Sequence, residues 1–252
     1  MEITRVRDEL HMITLEFGTA YLWRDDHGPT LIDTGVAGSA DWIEQAVRSI
    51  GLAPGSVRRI VLTHHHEDHT GSAAELARRW SAEVVAHRLE APVIRREQPA
   101  APPVLSPFEQ QLWDGLPPIP PAEPCPVHRE VEEGDVLDIG GGAVVLHVPG
   151  HTDGSIALHL PGPGVLFTGD VVSNVQGQTR PGVFHTDPAR ALAAFHRLAA
   201  LPVETVVFGH GDPIAAGASA ALRAAAAAAP AAVGAAGPAG PATAAAEQRP
   251  GA

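Results

Sequence analysis

The chain has 252 residues, 44% of them hydrophobic, a formal charge of −12, and 17 basic residues that are all arginine. That length buries a substantial core in one domain or two small ones. The acidic balance argues against nucleic acid or an anionic membrane surface as a partner, and the absence of lysine excludes Schiff-base chemistry and a Walker-type phosphate loop.

Cys125 is the single cysteine, so no intrachain disulfide can form. Residues 1–9 lack a basic stretch followed by an apolar run, and nowhere are there about 18 consecutive apolar residues. A cytoplasmic location without membrane association is the expectation.

In chain order, short strands are predicted at 12–17, 20–24 and 30–33, separated by the turn residues Gly18-Thr19 and Asp25-Asp26-His27-Gly28. A helix follows Ser39, with Ile43, Ala46, Val47 and Ile50 on one face and Gly51 as its stop. Residues 59–62 read as a buried strand. Ser72-Ala73-Ala74-Glu75 has the form of a capping box, which starts the next helix. Residues 84–86 form another short strand. Eleven prolines between Pro92 and Pro126 then predict a long loop or lid without a regular helix or central strand. Strands resume at 136–139 and 144–148 as a hairpin, then at 155–160 and 165–168. Asp187-Pro188 opens a helix whose apolar face is Ala191, Leu192, Phe195, Leu198 and Ala199, and a last strand spans 205–208. Residues 215–229 have helical propensity, whereas 230–252 hold too few large apolar residues to offset the entropy of ordering. The organisation predicted is a domain over 1–214, with 92–126 as its proline-rich loop or lid, and an Ala/Pro/Gly-rich tail over 215–252 that is largely disordered after 229. The mixture of strands and helices indicates an α/β or α+β layered fold.

The chemistry concentrates in Thr63-His64-His65-His66-Glu67-Asp68-His69-Thr70-Gly71, four histidines and two acids in nine residues directly after an apolar strand. Imidazole nitrogens and carboxylate oxygens suit zinc and related divalent ions, and alternation turns His64 and His66 to one side. Asp68 and His69, displaced by the turn into the helix, can face a second ion. Three further fragments end apolar strands: Pro149-Gly150-His151-Thr152-Asp153-Gly154-Ser155, Thr168-Gly169-Asp170 and Gly209-His210-Gly211. Each alone reads as a turn. Together, in this order, they read as one rim of ligands.

The series His64-x-His66-x-Asp68-His69, His151, Asp170, His210, preceded by Asp33 in Leu31-Ile32-Asp33-Thr34-Gly35, resembles the successive motifs of the metallo-β-lactamase fold superfamily across residues 10–213. The resemblance implies a four-layer αββα sandwich and two divalent ions, zinc first with iron and manganese as alternatives. It places one ion on His64, His66 and His151 and the other on Asp68, His69 and His210, with Asp170 bridging. It also implies a metal-bridged hydroxide as nucleophile, Asp68 as the group that orients it or moves its proton, and Asp33 as a hydrogen-bonding support for the metal loop. His65 and Glu67 alternate away from the ligand side and read as structural, and Tyr21 reads as packing. His185 is the weaker candidate for substrate contact.

Asp170 separates the chain from true β-lactamases, which the resemblance describes as lacking an acid there, and His66 separates it from the flavodiiron-like redox branch. The glyoxalase II-like and N-acyl homoserine lactonase-like branches fit better. The tail, with Arg223 and Arg249 as its basic residues, lacks the glutathione-gripping features of the first branch, and no tyrosine follows Asp170 as in the second. The function expected is hydrolysis of an ester, lactone or thioester of a small molecule, with the apolar residues of 92–126 suited to an acyl chain or a homodimer contact. Two alternatives come from other classes: a mononuclear iron sulfur dioxygenase, and a non-catalytic binding module of the same fold.

Overall fold

The computed structural model describes residues 2–229. Strands β1 (Glu2–Arg5), β2 (Leu10–Thr14), β3 (Thr19–Trp23) and β4 (Thr30–Ile32) pair in sequence as an antiparallel meander. Helix α1 (Ala40–Ser49) crosses over to β5 (Arg59–Val61), parallel to β4. The short α2 (Glu67–Thr70) and α3 (Ala73–Trp80) lead to β6 (Glu83–His87). From there α4 (Ala91–Ile94) and α5 (Pro107–Gly115) precede β7 (Arg129–Val131), so that β4 to β7 are parallel and the first sheet has seven strands.

The second sheet takes β8 (Val136–Leu137), β9 (Ala143–His147), β10 (Ile156–Leu160) and β11 (Val165–Phe167) as an antiparallel series. A side hairpin of β12 (Val172–Val175) and β13 (Gln178–Pro181) and helix α6 (Pro188–Ala199) follow. Strand β14 (Thr205–Val207) then joins β11 in parallel, and helix α7 (Ala218–Ala228) ends the described chain.

Alternation along the strands builds the layers, because successive side chains leave opposite faces of a sheet. In β3, Ala20 and Leu22 pack with Ile43 and Val47 of α1 and Leu76 of α3, while Tyr21 and Trp23 pack into the space between the sheets. Across that space lie Ile156, Leu158 and Leu160 of β10 and Val165 and Phe167 of β11. The opposite face of the second sheet, Leu146, Ala157, Leu166 and Val206, is covered by Phe195 and Leu198 of α6 and Leu222 of α7. Strands buried on both faces read as continuous apolar runs. The resulting order is helices, sheet, sheet, helices: the four-layer αββα sandwich.

Several expected elements need correction. The helix after the histidine cluster starts where expected, but Ser72 does not cap it: its hydroxyl donates to Val36 O (2.7 Å) and accepts from Ser39 N (2.9 Å). The proline-rich stretch does contain a regular helix. Pro107 occupies the first helical turn of α5, where a missing N–H costs nothing, and Ser106 with Glu109 closes a true capping box. Ile94 and Cys125 are buried in the outer core, so both ends of this stretch belong to the packed body. The boundary expected at 214 falls short as well, since Ala218, Leu222 and Ala226 of α7 are buried against α6. The disorder expected after 229 lies outside the described residues.

Candidate metal centre

The parallel relations place the carboxyl ends of β4 and β5, and of β9, β11 and β14, at one edge of the sandwich. Asp33 follows β4, residues 63–71 follow β5, His151 follows β9, Asp170 follows β11 and His210 follows β14. All seven sequence-predicted ligands are thereby brought together.

Two groups form. His64 Nε2, His66 Nδ1 and His151 Nε2 approach one another at 3.0 to 3.2 Å. Asp68, His69 and His210 form the second, with His210 Nε2 3.1 Å and His69 Nε2 3.6 Å from Asp68 Oδ2. Asp170 stands between them: its Oδ2 is 3.1 Å from His210 Nε2 and 3.7 Å from His151 Nε2, and its Oδ1 is 3.4 Å from His69 Nε2. Gly209 is required beside it, because a Cβ there would collide with Asp170 Oδ1.

The neighbours of these rings fix which nitrogen carries the proton. Thr63 Oγ1 donates its single hydrogen to Asp33 Oδ2 (2.8 Å), so its 3.0 Å contact with His64 Nδ1 must be an N–H donated by the ring. His64 Nε2 is then left as a lone pair facing the group. His69 Nδ1 donates to Asp33 Oδ2 at 2.9 Å, and Thr63 N donates to Asp33 Oδ1 at 2.8 Å. Asp33 holds this position with φ of 59°, a left-handed conformation that aspartate tolerates better than most residues.

The electrostatics divide the site. Burial lowers the pKa of His64, His66 and His151, that of His66 to about 4, and neighbouring imidazoles add to the effect, so these rings are neutral donors. In His69, burial opposes protonation, but the carboxylates of Asp170, Asp68 and Asp33 outweigh it and raise the pKa well above the usual value. His210 is raised to about 10, chiefly by Asp170. For Asp68 and Asp170 burial pushes upward, and His69 and His210 more than offset it, leaving both below the usual carboxylate range.

The residues therefore fit divalent ions. His69 Nε2 and Asp170 Oδ1 are buried without a hydrogen bond of ordinary geometry, a costly arrangement unless another partner is bound. Three neutral imidazoles suit one ion, and the Asp68–His69–His210 group, with its protons displaced, suits another.

Other candidates are placed apart or behind. His65 faces away from the group: its N and Nδ1 both meet Glu90 Oε2, at 2.7 and 2.6 Å. Glu67 accepts from Arg96 and from Ala122 N. His185 is 5% exposed and its Nδ1 lies 3.3 Å from His151 Nδ1. His147 stacks on His87 with ring centroids 4.3 Å apart, away from the site.

Sequence reasoning missed Glu90, which also accepts from Thr152 Oγ1 (2.9 Å) and Gly154 N (2.7 Å). Its only signal is an acid set among apolar residues just after β6. Tyr21 does more than pack: its hydroxyl donates to Phe208 O (2.7 Å) and accepts from Phe208 N (3.2 Å), tying the first sheet to the segment that carries His210. A shallow cavity of about 170 Å³ opens beside His210, lined by Met12, Thr14, Gly18, Thr19, Gly211 and Asp212.

The chain is similar to known proteins in sequence and in fold. The chain is 33% identical over 201 residues to a hydroxyacylglutathione hydrolase of Methylobacillus flagellatus, covering 78% of this chain and 64% of the relative. It is 34% identical over 202 residues to one of Cupriavidus metallidurans, covering 76% and 62%. It thus spans somewhat under two thirds of the length of these relatives. The probable metallo-hydrolase YflN of Bacillus subtilis is 27% identical over 225 residues, covering 81% of this chain and 84% of that protein. Among solved structures, the subclass B3 metallo-beta-lactamase BJP-1 of Bradyrhizobium japonicum shares the fold with a TM-score of 0.68 at 20% identity, each chain 90% covered. A metallo-beta-lactamase family protein of Thermus thermophilus has a TM-score of 0.63 at 24% identity, covering 88% of this chain and 78% of that one. The profile of the metallo-beta-lactamase superfamily matches residues 13–210, and the chain belongs to that superfamily of metallo-hydrolases.

Proposed function

We propose that this chain is a dinuclear metal-dependent hydrolase that cleaves a thioester, ester or lactone of a small molecule, with zinc as the resident metal. The single observation that carries the reading is Asp170, whose carboxylate lies within 3.7 Å of imidazoles from both side-chain groups. An acid in that place could serve both groups, were each to hold an ion. The thioester comes first among the three bonds because relatives at 33 and 34% identity are named hydroxyacylglutathione hydrolases.

Divalent ions at such a site supply Lewis acidity toward a carbonyl and acidify water near neutral pH. The chain's own residues do the rest. Asp68, held as a carboxylate with Oδ2 3.1 Å from His210 Nε2, would hold the second ion through that oxygen and orient the attacking water, or help move its proton, through the other. Asp33 and Thr63 fix the tautomers of His69 and His64.

The test is hydrolysis of a panel of acyl thioesters, aryl esters, lactones and a β-lactam by the zinc-loaded protein. The reading expects turnover of at least one thioester, ester or lactone, lost on chelation and restored by zinc. Turnover confined to the β-lactam, or oxygen consumption on a glutathione persulfide by an iron-loaded form, would overturn it.

A further inference from the structure

Three imidazoles of the centre are held from behind on the nitrogen that faces away from the group. Thr63 Oγ1 holds His64 Nδ1, Asp33 Oδ2 holds His69 Nδ1, and the side chain at His151 Nδ1 is His185, with Nδ1 to Nδ1 at 3.3 Å and the rings nearly perpendicular at 87°. Such contacts decide the tautomer and rotation of a ligating ring. The first two holders are buried residues just after β5 and β4 of the first sheet.

His185 differs in what holds it. Its carbonyl accepts from Val104 N (2.8 Å), at the approach to α5, and the preceding Phe184 N donates to Glu109 Oε1 (3.1 Å) in the first turn of α5. Trp113 of α5 packs edge-on against Phe184 with ring centroids 5.2 Å apart. Phe184 has φ of 61°, a conformation a bulky residue keeps only when its surroundings enforce it. On the other side, Thr186 N donates to His151 O at 3.1 Å. The segment 184–186 is clasped between α5 and the His151 loop, while Phe108, Leu112 and Trp113 of that helix remain substantially exposed.

We propose that His185 is a positioning residue for His151, and that the Phe184–His185 step transmits the placement of helix α5 to that imidazole. An apolar substituent settling against α5 thereby adjusts the first metal group. The inference rests on reading His64, His66 and His151 as metal ligands, and it does not depend on which bond is hydrolysed.

The test titrates the metal-free full chain with zinc against a chromophoric chelator. The binding step abolished by His66→Ala identifies the first group, and that abolished by His210→Ala the second. His185→Ala is expected to weaken the first step by about 10- to 100-fold and to leave the second alone. His185→Asn, which keeps an acceptor for His151 Nδ1–H, restores most of the loss. Trp113→Ala, which touches none of the seven candidate ligands, weakens the same step by a smaller factor. Equal weakening of both steps in His185→Ala, or unchanged zinc binding with only KM raised, overturns the proposal; so does a Trp113→Ala protein with wild-type zinc affinity. A wild-type protein that binds zinc in two steps but hydrolyses nothing in the panel sinks the proposed function and leaves this inference standing.

Discussion

Glu90 and His65 are joined twice, the carboxylate Oε2 meeting both the main-chain N and the imidazole Nδ1 of His65. The other oxygen of Glu90 takes hydrogen bonds from Thr152 and Gly154, so one side chain that is 1% exposed fastens the loop of His64 and His66 to the loop of His151. Burial raises the pKa of Glu90, and the bonds from His65, Thr152 and Gly154 outweigh it, leaving a carboxylate at neutral pH.

Glu90→Gln keeps the shape but turns an N–H toward groups that are themselves donors. Leaving buried donors unsatisfied and removing a charge from a paired network is expected to cost about 3 kcal/mol of stability. Urea denaturation measures this as a lower midpoint with an unchanged slope. A midpoint within experimental scatter of wild type would show that the two loops are held by other contacts.

Asp33 supports the second group in the way Thr63 supports the first. Asp33→Asn tolerates the same left-handed backbone but presents one acceptor oxygen where the aspartate presents two, to Thr63 N, Thr63 Oγ1 and His69 Nδ1. Zinc affinity of the Asp68–His69–His210 step is expected to fall by about 10- to 100-fold, read by chelator competition. Unaltered affinity would separate Asp33 from the metal centre.

His87 makes the protein sensitive to acid away from that centre. Its pKa is lowered to about 4, first by burial and then by the stacked His147. The unfolded chain protonates this ring near pH 6.5. Above that pH neither state is protonated and the contribution of His87 to stability is complete. Between 6.5 and about 4 the unfolded state binds a proton that the folded state does not, so stability falls as pH falls. His87→Phe keeps the stack and removes the titration. The metal-free variant is expected to lose less stability than wild type on going from pH 7.5 to 4.5; parallel losses in urea titrations would refute the assignment.

The cluster of candidate ligands was legible because its members follow the ends of apolar strands, where local sequence shows both the strand and the turn. The sandwich was legible through the motif series and the resemblance it carries, because the pattern of strands and helices alone indicated only an α/β or α+β layered fold. Glu90 was not, since it serves positions 25 and 62 residues away, a relation that exists only once β6 and β9 are assembled. Composition hid α5: a window dense in proline still forms a helix when one proline falls in the first turn and Ser106 and Glu109 close the cap. Ser72 misled in the opposite direction. Its spacing to Glu75 imitates a capping box, yet tertiary packing spends its hydroxyl on Val36 and Ser39. The β12–β13 hairpin was missed although Gln176-Gly177, both at positive φ, marks its turn.

Elemental analysis of protein purified without added metal or chelator tests most directly the proposed two-metal centre with Asp170 between its groups. Two divalent ions per chain are expected, one for each side-chain group, with clear loss of metal in both His66→Ala and Asp170→Ala. A content well under one ion per chain, or loading that neither substitution changes, would contradict the account.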